Sequence, residues 1–177
     1  MSNLCCVTIF TERLTLKPIS SSYEDDLFYG LTDEVARFLV FQPTGNIEDT
    51  RDFISRSREE MASGKSLKTV ILDRTTGAFL GYANLRFIDT REPKVGIWLS
   101  ESARHKGFGR EAVAALRDFA DANLDYDFLS YPVATENPAS RKLAESLGGI
   151  VARTGTFTNS RGEVHDEVTY RIPKATL

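Results

Sequence analysis

Apolar residues recur along this chain with two spacings, and the alternation between them predicts the order of elements. Helical spacing comes first at Tyr23, Leu27 and Leu31, after a capping-box pattern at Ser21-Ser22-Tyr23-Glu24. A short helix is predicted over Val35 to Leu39, ending before Gln42-Pro43. Asn46 then caps a longer one, with Ile47, Ile54 and Met61 seven apart and Gly64 at its end. Further on, Ala112, Leu116, Phe119 and Ala120 form one stripe, with Arg110, Glu111, Arg117, Asp118 and Asp121 off it. A last helix is predicted from the cap Asn137 and Pro138, with Ala139, Leu143 and Leu147 as its apolar side and Gly148-Gly149 as its stop. Strand-like runs occupy 7–16, 67–72, 78–88, 95–99, 128–135, 150–157 and 164–172, with turns at 73–77 and 158–162. Gly81 inside the third run marks a bulge or a close approach. The order is strand, helices, antiparallel strands, then strand-helix-strand-helix-strand-strand, which predicts a mixed α/β sheet in a single domain over residues 1–177.

The chemistry concentrates where strand 95–99 gives way to a helix. Between them stands Arg104-His105-Lys106-Gly107-Phe108-Gly109. The first N–H groups of a helix lack intrahelical partners and carry the positive end of its dipole. Glycines lacking Cβ let an anion approach the backbone, and Arg104 and Lys106 add charge at the same mouth. A phosphorylated ligand is the expectation; a tight turn with solvated basic residues is the plainer reading. A Walker A loop is excluded, because no Gly-Lys-Ser/Thr follows. Gly107-Phe108-Gly109-Arg110-Glu111-Ala112, with Glu136 after the next strand, matches the dinucleotide pattern, but it falls late, after antiparallel strands.

Composition narrows the partners. A net charge of −3 disfavours extended nucleic-acid binding, while leaving room for a local basic patch. No apolar run is long enough to span a membrane, and Met1 to Phe10 carries no signal-peptide pattern. The two cysteines, Cys5 and Cys6, are neighbours; they cannot staple the fold and form no metal-binding CxxC. A cytoplasmic protein without metal, nucleic-acid or membrane partners is expected, as a monomer or a homodimer.

Arg104 to Gly109 has the form R-x-x-G-x-G, which resembles the acetyl-CoA loop of the GCN5-related N-acetyltransferases. Glu136-Asn137-Pro138-Ala139-Ser140, leading through Leu143 to Leu147-Gly148, is similar to that family's N-x-x-S motif. Thr11 to Pro18 and Gly162 to Tyr170 resemble the first and last strands of its ribosomal-protein N-terminal acetyltransferase branch. The resemblance implies a mostly antiparallel sheet flanked by helices. Two of its central strands, 95–99 and 128–135, would splay around the pantetheine arm, with Gly96 as a bulge residue. It implies acetyl-CoA as cosubstrate and a primary amine as acceptor, either a protein N-terminal α-amine or a small molecule. Expected at the cofactor are backbone groups of Trp98 and Leu99, the loop residues Arg104, His105, Lys106, Gly107, Phe108, Gly109 and Arg110, and the cap Asn137. Trp98 is equally readable as core, and His105 is expected to give backbone only.

Ser140 matches the motif serine and is the candidate for stabilising or protonating the leaving thiolate; the alternative is a helix-start hydroxyl bonded to backbone. Four positions depart from the family: Lys94 where many members have glutamate, Thr156 in place of the branch's proposed basic glutamate, Ala144 at the tyrosine acid of other branches, and Gly149 for the usual phenylalanine. The general base is therefore unassigned among Glu92, Glu136, Glu163, His165 and Asp166. Phe38, Phe41 and Phe53 are candidates for the acceptor wall or plain core. The altered acid–base positions keep a non-catalytic acyl-CoA-binding module as the alternative, with a dinucleotide-binding protein behind it.

Overall fold

A computed structural model describes residues 3–175. Eight strands form one sheet in the order β1-β2-β3-β4-β5-β6-β8-β7. They are β1 (Ile9–Phe10), β2 (Leu14–Pro18), β3 (Ser66–Asp73), β4 (Phe79–Arg86), β5 (Lys94–Leu99), β6 (Leu129–Ala134), β7 (Ile150–Thr158) and β8 (Val164–Ile172). Every neighbouring pair is antiparallel except β5 and β6, which are parallel. The crossover between those two is α4 (Phe108–Asn123), as a parallel connection requires. The other helices are α1 (Glu24–Gly30), α2 (Asp33–Ala36), α3 (Ile47–Ala62) and α5 (Pro138–Ser146). Among the described residues no helix is long and apolar enough to cross a membrane.

The two sheet faces are covered by different helices. Gly109 of α4 packs on Ile97, Leu99 and Leu143, so α4 and α5 share one face. Gly30 of α1 packs on Phe79 and Trp98, and Phe53 of α3 stacks edge-on against Tyr82, so α1 and α3 share the other. The α4 stripe Ala112, Leu116 and Ala120 is fully buried, while Phe119 is only half-buried. Full burial of a side chain such as Leu116 contributes roughly 1.5–3 kcal/mol.

Several predicted details are corrected. The run 7–16 is not one strand: the chain reverses at Thr11–Arg13, where the Thr11 hydroxyl accepts the Leu14 N–H at 2.9 Å. No capping box forms at Ser21, because the chain makes a 3₁₀ turn there and Glu24 bonds Arg51 of α3 at 3.0 Å instead of reaching back. The second helix runs Asp33–Ala36, capped by the Thr32 hydroxyl, and stops early where the Gln42 amide draws off the carbonyls of Ala36 and Leu39. Asn46 caps α3 as predicted. Gly96 is not a bulge, since β5 pairs in unbroken register with β4. The irregularity lies in β4, where Leu80 is the extra residue before Gly81. In α5 the buried side is Leu143, Ala144 and Leu147; Ala139 is exposed, because a helix starting at Pro138 turns that position outward.

Candidate active site

The site is an interruption in the sheet. β5 and β6 pair only at Lys94 and Ser130, where the Ser130 N–H donates to Pro93 at 2.8 Å. Beyond that point each strand pairs only with its outer neighbour, and the backbone groups facing inward have no strand partner. Their identity follows from alternation. The Pro93 carbonyl faces β6 and the Ser100 N–H faces Leu80 of β4, so beyond the Lys94–Ser130 pair Ile97 and Leu99 present peptide groups to the gap. The backbone of Trp98 faces β4 instead, its carbonyl pressed against the place where a Cβ on Gly81 would stand. This corrects the expectation for Trp98: its ring packs against Phe79 and Tyr82, and Leu99 with Ile97 takes over the edge.

After β5 the chain makes a short 3₁₀ turn at Glu101–Ala103 and enters the loop. His105 and Gly107 both have left-handed backbones, φ +60° and +80°. That is strained for histidine and natural for glycine. Among the described residues no side chain caps α4. The first helical bond joins the Glu111 N–H to the Gly107 carbonyl at 3.1 Å, leaving the N–H groups of Phe108, Gly109 and Arg110 without helical partners. The two glycines do different jobs. A Cβ at Gly107 would meet only the Arg13 guanidinium at 3.3 Å, so the backbone there is open. A Cβ at Gly109 would fall 2.9 Å from Leu143 Cδ1, so that glycine lets α4 press onto α5 and β5.

The cations divide as well. Arg104, expected at the phosphates, turns to α2, its guanidinium 3.5 Å from the Glu34 carboxylate and 3.3 Å from the Glu34 carbonyl. Lys106, His105 and Arg110 are exposed at the mouth of the loop. The brace of the loop is a group that sequence reading missed. Arg13, from the β1–β2 reversal, donates to the Lys106 carbonyl at 2.9 Å and to Glu111 at 2.7 Å, and its guanidinium lies 4.6 Å over the Phe108 ring. Thr11 donates its hydroxyl to Glu111 at 2.6 Å, and the Arg13 N–H adds a bond at 2.8 Å. Partial burial pushes the Glu111 carboxyl up, but these three donors outweigh it and hold it below the ordinary carboxylate range.

Across the gap, Asn137 caps α5 by accepting the Ser140 N–H at 3.2 Å. The Ser140 hydroxyl lies 2.7 Å from that of Tyr131, on β6, one residue beyond the last β5–β6 pair. Tyr131 is buried, which pushes its phenol up to about 12 and keeps it protonated. Tyr131 was not foreseen; in the sequence it is one apolar position in a strand.

On the α1–α3 face, the β7–β8 turn is fastened to the segment after α2. Ser160 donates to the Val40 carbonyl at 2.8 Å and accepts from Gln42 at 3.0 Å, and Arg161 bonds Asp33 at 2.6 Å. Of the wall candidates, Phe53 belongs with Tyr82, Phe38 is half-buried beside Arg37, and Phe41 is exposed. Of the base candidates, Glu92 lies 3.8 Å from Arg153, Glu163 accepts from Asn159 at 2.7 Å, and Glu136 and Asp166 are exposed. His165 stacks on Phe157, its Nε2 buried and without a partner among the described residues. Glu167, not among the expected residues, is half-buried and faces away from α5. Desolvation raises its carboxyl above the ordinary range, although Lys94 and Arg153 pull the other way.

The family model for the acetyltransferase (GNAT) domain matches residues 13–150, well over half of the chain. This chain belongs to the GNAT family. It is an acetyltransferase, and acetyl-CoA is the donor. That assignment sets aside the dinucleotide reading. The N-acetyltransferase p20 of Bacillus licheniformis is 29% identical over 143 residues, 79% of this chain and 80% of that protein. Among solved structures, the GNAT fold here is similar to the Salmonella typhimurium acetyltransferase that modifies the N-terminal serine of ribosomal protein L7/L12. The TM-score is 0.80 at 19% identity, over 94% of this chain and 99% of that one. It is equally similar to the spermidine N-acetyltransferase of Vibrio cholerae, solved with CoA and spermine. There the TM-score is 0.79 at 17% identity, over 93% and 97% of the two chains.

Proposed function

We propose that this chain transfers acetyl from acetyl-CoA to a primary amine, a protein N-terminal α-amine or a small-molecule amine. The observation that carries the reading is the opening beyond the single Lys94–Ser130 pair, set directly beside the uncapped start of α4. A pyrophosphate suits the free N–H groups of Phe108, Gly109 and Arg110 at the positive end of a 16-residue helix, with Lys106 and Arg110 as local cations. A pantetheine arm suits the edge of Ile97 and Leu99, which offers amide groups as a neighbouring strand would. The fit is of a backbone cradle to a ligand rich in amides and phosphates.

Acetyl-CoA supplies the activated acyl group; this chain's residues position it and manage protons. A lysine-like amine costs about 4.6 kcal/mol to deprotonate at pH 7, an α-amine only about 1. The oxyanion formed on attack needs an N–H, and the unpaired edge of β5 supplies one. In this reading Ser140 serves the departing thiolate; its hydroxyl contacts that of Tyr131 and its N–H donates to Asn137, which supports a fixed orientation. The altered positions Lys94, Thr156, Ala144 and Gly149 leave this half of the site intact.

The test is detection of free CoA thiol across α-amine peptides, polyamines, aminoglycosides and amino acids. Release at enzyme-like rates with one class names the acceptor. Acetyl-CoA binding without release across the whole panel would favour the non-catalytic binding module.

A further inference from the structure

The reaction needs a group that takes a proton from the acceptor ammonium, and the sheet restricts where that group can stand. With the donor at the start of α4, as the acetyl-transfer reading has it, the α4–α5 side is taken and the α1–α3 face is left for the amine. Strands β5, β6 and β7 carry no carboxylate, and β8 carries two, Asp166 and Glu167. Tyr170 of β8 bonds Arg141 and Glu145 of α5, so by alternation Val168 and Asp166 share the α5 face. Glu167 is turned to the opposite one.

Register places Glu167 one strand away from the gap, across β6. It pairs with Ala134 of β6 on one side and Gly155 of β7 on the other, and Ala134 lies four residues beyond the closed end at Ser130. The carboxylate accepts no hydrogen bond among the described residues. Glu92 and Glu163 both have partners, and Glu136 lies out in solvent. The charged groups around Glu167 are Lys94 from β5, Arg153 from β7 with Glu92 against it, and His165 two residues back on β8; β6 contributes none.

Resting on the acetyl-transfer reading, we propose that Glu167 is the general base of this enzyme, taking the ammonium proton of the acceptor through water. Its proton balance is closed. Glu167 accepts one proton from R–NH₃⁺ and returns it to solvent. The freed nitrogen pair forms the C–N bond to the thioester carbonyl carbon, and the C–S bond breaks with its pair on sulfur. The second proton leaves nitrogen as the amide forms and goes to sulfur, by way of Ser140 or solvent. A carboxylate kept half-buried and unpaired is a stronger base than one in water, and Lys94 and Arg153 favour its charged form against that desolvation.

The experiment compares wild type, Glu167→Gln, Glu167→Asp and His165→Gln. Each is given acetyl-CoA and the amine of a short free-N-terminus peptide or spermidine, whichever the wild type acetylates. Rates are taken from pH 6 to 9, beside acetyl-CoA titration and a melting curve. Glu167→Gln is expected to lower turnover at pH 7 by roughly ten- to a thousandfold. Its deficit shrinks as pH approaches the amine's own pKa. Acetyl-CoA affinity stays at the wild-type value and Tm does not fall, because a partly desolvated charge has been removed. Glu167→Asp recovers part of the rate, and His165→Gln keeps the wild-type pH profile. A Glu167→Gln enzyme with wild-type turnover and pH profile overturns the assignment, as does a profile that moves with His165→Gln alone. A wild type that binds acetyl-CoA but releases no CoA thiol with any amine of the full panel overturns the acetyl-transfer reading, and this assignment with it.

Discussion

The two faces of the sheet are built on different principles. On the α4–α5 face the candidate site is made of backbone: free N–H groups at a helix start, an unpaired strand edge, and a glycine pressed against Leu143. The side chains there brace the backbone. Arg13, Thr11 and Glu111 tie the reversal after β1 to the first turn of α4, and Asn137 caps α5. On the α1–α3 face the surface is made of side chains: Lys94, Arg153 and Glu167 near the gap, Arg161 and Ser160 fastening the turn above it. A backbone cradle suits a ligand that never changes, and its geometry is fixed by packing. A side-chain surface can be rewritten without disturbing the sheet, as suits an acceptor that differs between relatives.

The sharpest way to break this contrast is to give a side chain to one glycine on each side. Gly109→Val places a Cβ 2.9 Å from Leu143 Cδ1 and 3.5 Å from Leu99 Cδ1, and its two γ-methyls add to the crowding, so the side chains between α4, α5 and β5 must repack. It should cost about 1–3 kcal/mol or more and abolish acetyl-CoA binding. Gly155→Ala, where a Cβ meets nothing within 4 Å, should leave Tm and binding within error. Thermal melts with and without acetyl-CoA read both; a stable, binding-competent Gly109→Val would show that the cradle does not depend on this packing.

Next in size is Ser140→Ala, expected to lower single-turnover transfer ten- to a hundredfold, about 1.4–2.8 kcal/mol in barrier. It also strands the buried Tyr131 hydroxyl, 2.7 Å away, which should cost roughly 1–3 kcal/mol in stability. Adding Tyr131→Phe removes the stranded group and should restore most of the Tm without the turnover. If the double variant regains both, the serine was structural only.

The smallest effect is Glu111→Gln. Because the folded carboxyl titrates below its unfolded value, its stabilisation is full above the unfolded pKa and fades as pH falls through the folded one. Glu111→Gln should therefore melt below wild type at pH 7, with a gap that closes toward acid, and bind acetyl-CoA several-fold more weakly as the Arg13 brace loosens. A gap independent of pH would mean that the carboxylate charge is not what holds the loop.

These particulars also show what could be read in advance. β5, α4, the Asn137 cap and the paired glycines are local patterns, set by spacing and cap chemistry within one or two turns, and they were legible. The brace was not, because Arg13 and Glu111 are 98 residues apart and meet only once the sheet forms. The backbone direction of Trp98 depends on strand parity, and Arg104 on the position of α2, neither of which spacing reveals. Glu167 was hidden in the same way: next to Asp166 in sequence, it faces the other side of the sheet.

If the backbone opening between β5 and β6, together with the start of α4, holds the donor, acetyl-CoA must shelter the amides of both segments. Hydrogen exchange with and without acetyl-CoA tests it most directly. Segments 95–99 and 106–111 should gain protection on binding, while β7 stays unchanged. Binding that protects α1 and α3 and leaves those two segments exchanging at their free rates would contradict it.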